Sequence, residues 1–167
     1  GCWRGGFWWA VSPPRHRSVN LIDLTCPSPA ENLACDEALL ERCEAERVET
    51  LRFWESPETF VVLGYGNSAA RETAMDECAR RGIPVLRRCT GGGTVVQGPG
   101  CLDFALVLSL ESRPSLRDVT RSYAEVIGRT ARALGPEVQA AGTSDLAVGG
   151  MKVSGNSRSK ASSRPRI

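Results

Sequence analysis

Arg87-Arg88-Cys89-Thr90-Gly91-Gly92-Gly93-Thr94-Val95-Val96-Gln97-Gly98-Pro99-Gly100 is the stretch on which the reading of this chain turns. Two arginines, a hydroxyl and three consecutive glycines lie between two strand-like segments. Three glycines in a row add nothing to a core and lose much backbone entropy on folding. Such a run suits backbone that approaches a ligand closely, with its N–H groups turned toward an anion. Arg87 and Arg88 place positive charge at the mouth of the loop. The stretch reads as a binding loop for a phosphate or carboxylate, with a plain glycine-rich turn as the alternative.

Working outward, residues 83–87 form a short strand that delivers Arg88 to the loop, and residues 94–96 leave it as another. Gln97-Gly98-Pro99-Gly100 is a tight turn, and residues 102–110 are the most apolar strand of the chain. Toward the N-terminus, residues 19–24 alternate as a first strand. Ser28-Pro29-Ala30-Glu31 is a helix start with Ser as cap, Pro at the first position and Glu closing a capping box. That helix runs to about Glu46, with Asn32, Leu33, Ala34, Cys35, Leu39, Leu40 and Cys43 giving a broad apolar face. Residues 50–54 and 60–63 are strands joined by the turn-forming Glu55-Ser56-Pro57-Glu58. Gly64-Tyr65-Gly66-Asn67-Ser68-Ala69 matches the G-x-G-x-x-A dinucleotide fingerprint. However, the better helix start is the capping box at Thr73, and an acidic ribose ligand about 20 residues on is absent. A helix over residues 73–81 stops at Gly82.

Toward the C-terminus, Ser115 caps a long helix bearing Leu116, Val119, Tyr123, Val126, Ile127, Thr130 and Leu134 at helical spacing, ended by Gly135-Pro136. Residues 137–140, 144–148 and 151–154 are short strands, the last two joined by a Gly149-Gly150 hairpin turn. The order β-α-β-β-α-β-β-β-α-β-β-β predicts an α+β or α/β-like domain, a mixed and largely antiparallel sheet with helices packed on it. Its expected span is residues 19–156, between an irregular N-terminal segment (1–18) and a polar tail (157–167).

Composition narrows the chemistry. The chain has 167 residues, 41% hydrophobic and 24% charged, with a net charge of +2. That charge is too small to argue for nucleic acid or an acidic membrane. His16 is the only histidine, which disfavours Ser-His-Asp, Cys-His and His-based zinc sites. Seven cysteines with no Cys-x-x-Cys pair read as small hydrophobes in a reducing, cytoplasmic setting. No apolar run is long enough to span a membrane. Lysine is used only at 152 and 160, arginine elsewhere. Lys152 follows the hairpin turn among small residues, where a compact point charge has a use.

Together, Arg87-Arg88-x-Thr90-Gly91-Gly92-Gly93-Thr94-Val95, Ser144-Asp145-Leu146 and Lys152-Val153-Ser154-Gly155-Asn156 resemble the lipoate–protein ligase A family of the biotin/lipoate ligase and octanoyltransferase superfamily. Asn32 to Leu40 resembles its first helix. The resemblance covers residues 21 to about 156 and implies ATP-dependent activation of lipoate to lipoyl-AMP. Transfer to a lysine of an acceptor lipoyl domain follows, on a 2-oxoacid dehydrogenase E2 subunit or a glycine cleavage H protein. By this resemblance Arg88 holds the carboxylate or adenylate, with Thr90 as a further donor. Gly91, Gly92 and Gly93 wrap the substrate, and Gly93, Thr94, Val95 and Val96 line the nucleotide. Lys152 bridges the acyl oxygen and the phosphate as the catalytic cation, and Asp145 lies near ATP through Mg²⁺. Leu63 and Leu86 are candidates for the lipoyl tunnel or for the core. Two departures stand out. Gln97-Gly98 replaces the His-Asp pair of many members and is similar to the octanoyltransferase branch. The polar run after Asn156 lacks the strands that the family pattern implies, as in a truncated or frame-altered chain. Octanoyl transfer from an acyl carrier protein without ATP, and a non-catalytic remnant that binds ligand or acceptor domain, are the alternative readings. Cys89 and Cys101 are the thiols nearest the loop, and both read as structural.

Overall fold

The structure is a computed structural model that describes residues 18–159. The expectations for residues 1–17, including His16, and for residues 160–167, including Lys160, lie outside the described residues.

Strand β1 (Asn20–Asp23) leads into helix α1 (Pro29–Glu46). The expected capping box forms: the Ser28 hydroxyl accepts from the Glu31 amide at 3.3 Å, and the Glu31 carboxylate accepts from the Ser28 amide at 3.0 Å. Strand β2 (Thr50–Glu55) pairs parallel with β1 and antiparallel with β6 (Leu102–Val107). Strand β3 (Phe60–Leu63) pairs parallel with β4 (Val85–Arg87) and antiparallel with β5 (Val95–Gln97). Helices α2 (Ala69–Glu72) and α3 (Met75–Arg81) fill the β3–β4 crossover. After a 3₁₀ turn at Pro114–Arg117, helix α4 (Val119–Leu134) packs on the meander β7 (Val138–Ala141), β8 (Asp145–Val148) and β9 (Met151–Gly155). Gly149 and Gly150 have φ of 56° and 82°. Positive φ at both central residues is what a two-residue hairpin turn matched to the strand twist needs.

The strands fall into three three-stranded sheets, β1-β2-β6, β4-β3-β5 and β7-β8-β9. Four of the six pairings are antiparallel, so the mixed α+β expectation holds. Three apolar clusters hold the sheets and helices together. Leu39, Cys43 and Val107 join α1 to the first sheet; Trp54 of the first sheet packs with Phe60 and Val62 of the second; Ile127, Ala131 and Leu146 seal α4 onto the third.

A buried polar hub ties α1 to the first sheet. Arg52 on β2 is wholly buried. Its guanidinium donates to the Leu24 carbonyl, to both oxygens of Asn32 and to Asp36 Oδ1 at 2.7 Å, and its cation lies 5.4 Å from the Trp54 ring. Asn32, expected on an apolar face, is wholly buried for this reason: its amide also clasps the backbone of Cys26 and Ser28. Burying these groups is tolerable because each polar atom of the hub meets a partner.

Two helix starts differ from expectation. The Thr73 hydroxyl donates to the Ala69 carbonyl at 2.6 Å and closes α2, so α3 begins at Met75 behind Ala74 with no side-chain cap. Ser115 lies inside the 3₁₀ turn; Asp118 caps α4 instead, accepting from the Arg121 amide at 2.6 Å. The described cysteines are all free, Cys43 buried and Cys101 exposed.

Candidate functional site

Adjacent strands β3 and β4 run parallel and end side by side, so Leu63 and Arg87 launch two loops from one edge. The glycine loop is folded around Arg88. Its Nη2 donates to the carbonyls of Gly91 at 2.7 Å and Gly93 at 2.8 Å, and its Nε to Thr90 Oγ1 at 3.0 Å. Nη1 has only a long contact, 3.5 Å, to the Val62 carbonyl. Arg88 has no carboxylate partner among the described residues, and half-burial holds its pKa below the ordinary arginine value. A half-buried cation without a carboxylate counter-ion is a group that an anion could satisfy.

The second loop braces the first. Arg87 Nη1 gathers the carbonyls of Gly64, Tyr65 and Asn67 at 2.7–2.9 Å, and the Tyr65 amide donates to the Thr90 carbonyl at 2.8 Å. A Cβ added at Gly64 would sit 2.1 Å from the Gly92 carbonyl oxygen. This contact explains the first glycine of the G-x-G-x-x-A match: it admits the glycine loop rather than a pyrophosphate. A helix does open on Ala69, contrary to the sequence expectation, but it lasts four residues. Its Glu72 accepts hydrogen bonds from Asn67 (2.6 Å) and from the Thr94 hydroxyl.

Lys152 arrives from the third sheet. The β8–β9 ladder pairs Asp145 with Gly155 and Leu146 with Ser154, then slips so that Ala147 faces Lys152 and Val153 is the extra residue of a bulge. Without the slip, Lys152 would fall on the opposite face from Asp145, because side chains alternate along a strand. With it, Lys152 Nζ reaches Asp145 Oδ2 at 2.8 Å, and its methylenes pass over Gly155, where a Cβ would stand 3.2 Å from Nζ. Asn156 holds the strand end by donating twice to the Ser144 carbonyl, at 3.0 and 2.8 Å.

Both halves open on one cleft of about 990 Å³. Arg88, Thr90, Gly92, Gly93, Thr94 and Val95 line it from the loop side, and Asp145 and Lys152 from the β8–β9 side. Gly91 and Val96 are not on its wall, and Val96 is 66% exposed. Leu63 and Leu86 are not on it either. Leu63 is buried, and Leu86 packs on the Trp54–Phe60–Val62 cluster. The apolar wall is made instead by Leu33, Trp54 and Val62.

Three wall groups were missed by sequence reasoning. Ser157 lies in the polar run after Asn156, yet its hydroxyl meets the Thr90 hydroxyl at 2.7 Å and joins the two sides of the cleft. The next residue, Arg158, donates to the Leu116 carbonyl at 2.7 Å. Asp103 lies beneath Gln97, whose side-chain amide donates to its Oδ1. Burial, reinforced by the nearby Asp36, pushes the Asp103 carboxyl up to about 7. The one available signal was a charge inside the most apolar strand. Ser157 carried none.

A glycine loop ordered by Arg88 and a lysine–carboxylate pair on separate sheets, sharing a cleft with an apolar wall, occur here in the mixed α+β fold of lipoate protein ligases. A bi-partite lipoate protein ligase of Thermoplasma acidophilum, described with its E2 lipoyl domain, superposes with a TM-score of 0.69 at 27% identity, over 87% of this chain and 58% of that one. A lipoate-protein ligase A bound with ATP superposes at 0.64 with 26% identity, over 85% and 62% of the two chains. The chain belongs to the lipoyl protein ligase A/B catalytic domain family, which it matches over residues 28–164. A protein of Aeropyrum pernix assigned as a lipoate-protein ligase A is 32% identical over 81% of this chain and 50% of its own length. An octanoyltransferase of Brevibacillus brevis is 32% identical over 58% of this chain and 35% of its own. The chain thus spans about half the length, or less, of the curated relatives it matches.

Proposed function

We propose that this chain carries the activation site of a lipoate–protein ligase. The lipoate carboxylate attacks the α-phosphorus of ATP, a C(O)O–P bond forms, and pyrophosphate leaves. The ε-amine of an acceptor lysine then attacks the acyl carbonyl, losing its proton as AMP departs. The observation that carries this reading is the placement of Lys152 and its Asp145 partner on the same cleft as the Arg88-ordered glycine loop.

The first step brings two anions together, so fixed positive charge offsets their repulsion. Lys152 supplies it as a mobile point charge, 60% exposed, able to leave Asp145 for a phosphoryl or acyl oxygen. Arg88 contributes through its charge and through the loop shape it enforces, with Nη1 the nitrogen free to meet a ligand oxygen. Thr90, Gly92 and Gly93 stand on the same wall. Among the described residues there is no cluster of three metal-ligating side chains. Asp145 alone, with phosphate oxygens, fits Mg²⁺, which favours one or two carboxylates plus substrate phosphates; bound there, the ion would neutralise charge on the leaving pyrophosphate. The acceptor would be the lipoyl domain of a 2-oxoacid dehydrogenase E2 subunit or a glycine cleavage H protein. Relatives and neighbours named as lipoate ligases, one bound with ATP, support the reading.

Pyrophosphate release from ATP with lipoate and Mg²⁺ tests it. Lys152→Ala is expected to lower the rate roughly 10²–10³-fold, with an unchanged melting temperature. A rate untouched by that substitution sinks the assignment. A second reading, octanoyl transfer without ATP, is favoured by Cys89 on the cleft wall and by the octanoyltransferase relatives. Acyl transfer from octanoyl-acyl carrier protein that needs no ATP and vanishes in Cys89→Ser would establish it instead.

A further inference from the structure

The apolar wall of the cleft contains one group that an apolar ligand has no use for. Asp103 on β6 is the cross-strand partner of Trp54 on β2, so its carboxyl lies beside the indole on the same face. Leu33 and Val62 complete that wall. Gln97 from β5 donates to Oδ1, while Oδ2 is buried and meets no partner. The charged groups around it are Asp36 from α1 and Arg52 from β2, and both are committed to each other at 2.7 Å. Trp54 Nε1 is committed too, donating to Asp36 Oδ2 at 3.2 Å. A buried carboxyl with one idle oxygen costs stability unless something uses it.

The geometry also says which oxygen carries the proton. Oδ1 accepts from the Gln97 amide, so in the neutral form the hydrogen resides on Oδ2, the oxygen with nothing to donate to. We propose that Asp103, in its protonated form, donates the Oδ2 hydrogen to a sulfur of the dithiolane ring of lipoate, and thereby selects that ring over the saturated tail of octanoate. The inference rests on the lipoate reading above and assigns the site its substrate preference. Near neutral pH a substantial share of the carboxyl is protonated, since burial and Asp36 outweigh the opposing pull of Gln97 and Arg52. Octanoate offers the Oδ2 hydrogen no acceptor and leaves it unsatisfied.

The test is equilibrium binding of lipoate and of octanoate, each without nucleotide, to the wild-type chain, Asp103→Asn and Asp103→Leu, by calorimetry from pH 6 to 8.5. The wild type is expected to prefer lipoate by roughly three- to tenfold at pH 6, the worth of one modest hydrogen bond. The preference should shrink as the pH passes about 7. Asp103→Asn keeps a donor and should retain a preference that no longer varies with pH. Asp103→Leu should bind octanoate at least as well as lipoate. A wild-type preference that is absent, or is flat with pH and unchanged in Asp103→Asn, overturns the inference while leaving the ligase reading intact. Binding of neither acid by the folded wild type overturns both. Should Asp103→Leu fail to fold, the wild type and Asp103→Asn decide the matter alone.

Discussion

Replacing Gly64 with alanine tests how the glycine loop is held. The backbone at Gly64 is not in the left-handed region, so alanine introduces no torsional strain, and the whole effect is steric. The new Cβ would lie 2.1 Å from the Gly92 carbonyl oxygen and 3.0 Å from the Gly92 carbonyl carbon, a contact with backbone that no rotamer relieves. Real Cβ atoms essentially never approach closer than 3.0 Å, so the two loops must separate by about 1 Å. Forcing a methyl into a packed contact costs roughly 1–3 kcal/mol. For a chain of this size that is a fall in melting temperature of roughly 2–4 °C per kcal/mol. The larger effect is on chemistry: a displacement of about 1 Å in a positioning element can cost about 10²-fold in rate. Pyrophosphate release and a thermal melt on the same sample give both numbers. Gly66→Ala is the internal control, since a Cβ there meets nothing within 4 Å, and it should match the wild type. If Gly64→Ala matches the wild type in both assays, the loops are not held by this contact.

Three further outcomes follow from named contacts. Arg52→Ala leaves Asp36 and the Asn32 clasp without their cation, and truncating a buried ion pair typically costs about 3–5 kcal/mol. A denaturant midpoint near that of the wild type would refute the hub. Gly155→Val should keep the fold but displace the Lys152 ammonium, lowering pyrophosphate release about tenfold or more; a wild-type rate would show that Lys152 does not need the space over Gly155. The Asp103 carboxyl is raised from 3.8 to about 7 in the folded chain, so the folded state holds that proton more tightly than the unfolded one. Its contribution is fully present below pH 3.8 and is lost as pH rises to about 7. The melting temperature of Asp103→Asn relative to wild type should therefore rise across that window; a constant difference would contradict the raised pKa.

What the sequence made legible was local chemistry. The Ser28–Glu31 box, the glycine loop and the Gly149-Gly150 turn each announce themselves within a few residues, and each forms where expected. What it hid depends on partners distant in the chain. The side-chain direction of Lys152 is set by a register slip opposite Leu146 and Ala147, which no pattern within residues 151–155 encodes. The division into three sheets follows from β6 returning to β2 and β5 to β3, a choice among apolar strands of similar composition. Thr73 and Ser115 misled because a hydroxyl before a helical run serves equally well to close the preceding turn or to sit inside one. Arg52 lies in a stretch legible only as a strand and becomes a hub only when α1 lies over it.

The glycine loop rides on the second sheet, whose apolar cluster is shared with the first, and Lys152 on the third, whose cluster is separate. The Thr90–Ser157 hydroxyl contact spans the gap between them. Two units with separate cores can open with different free energies and rock against each other as bodies. Amide exchange across β7–β9 and α4 would then form one protection class, distinct from that of β3–β5. The distance from Lys152 to the loop becomes a breathing coordinate of the molecule, one that a ligand spanning both sheets would damp.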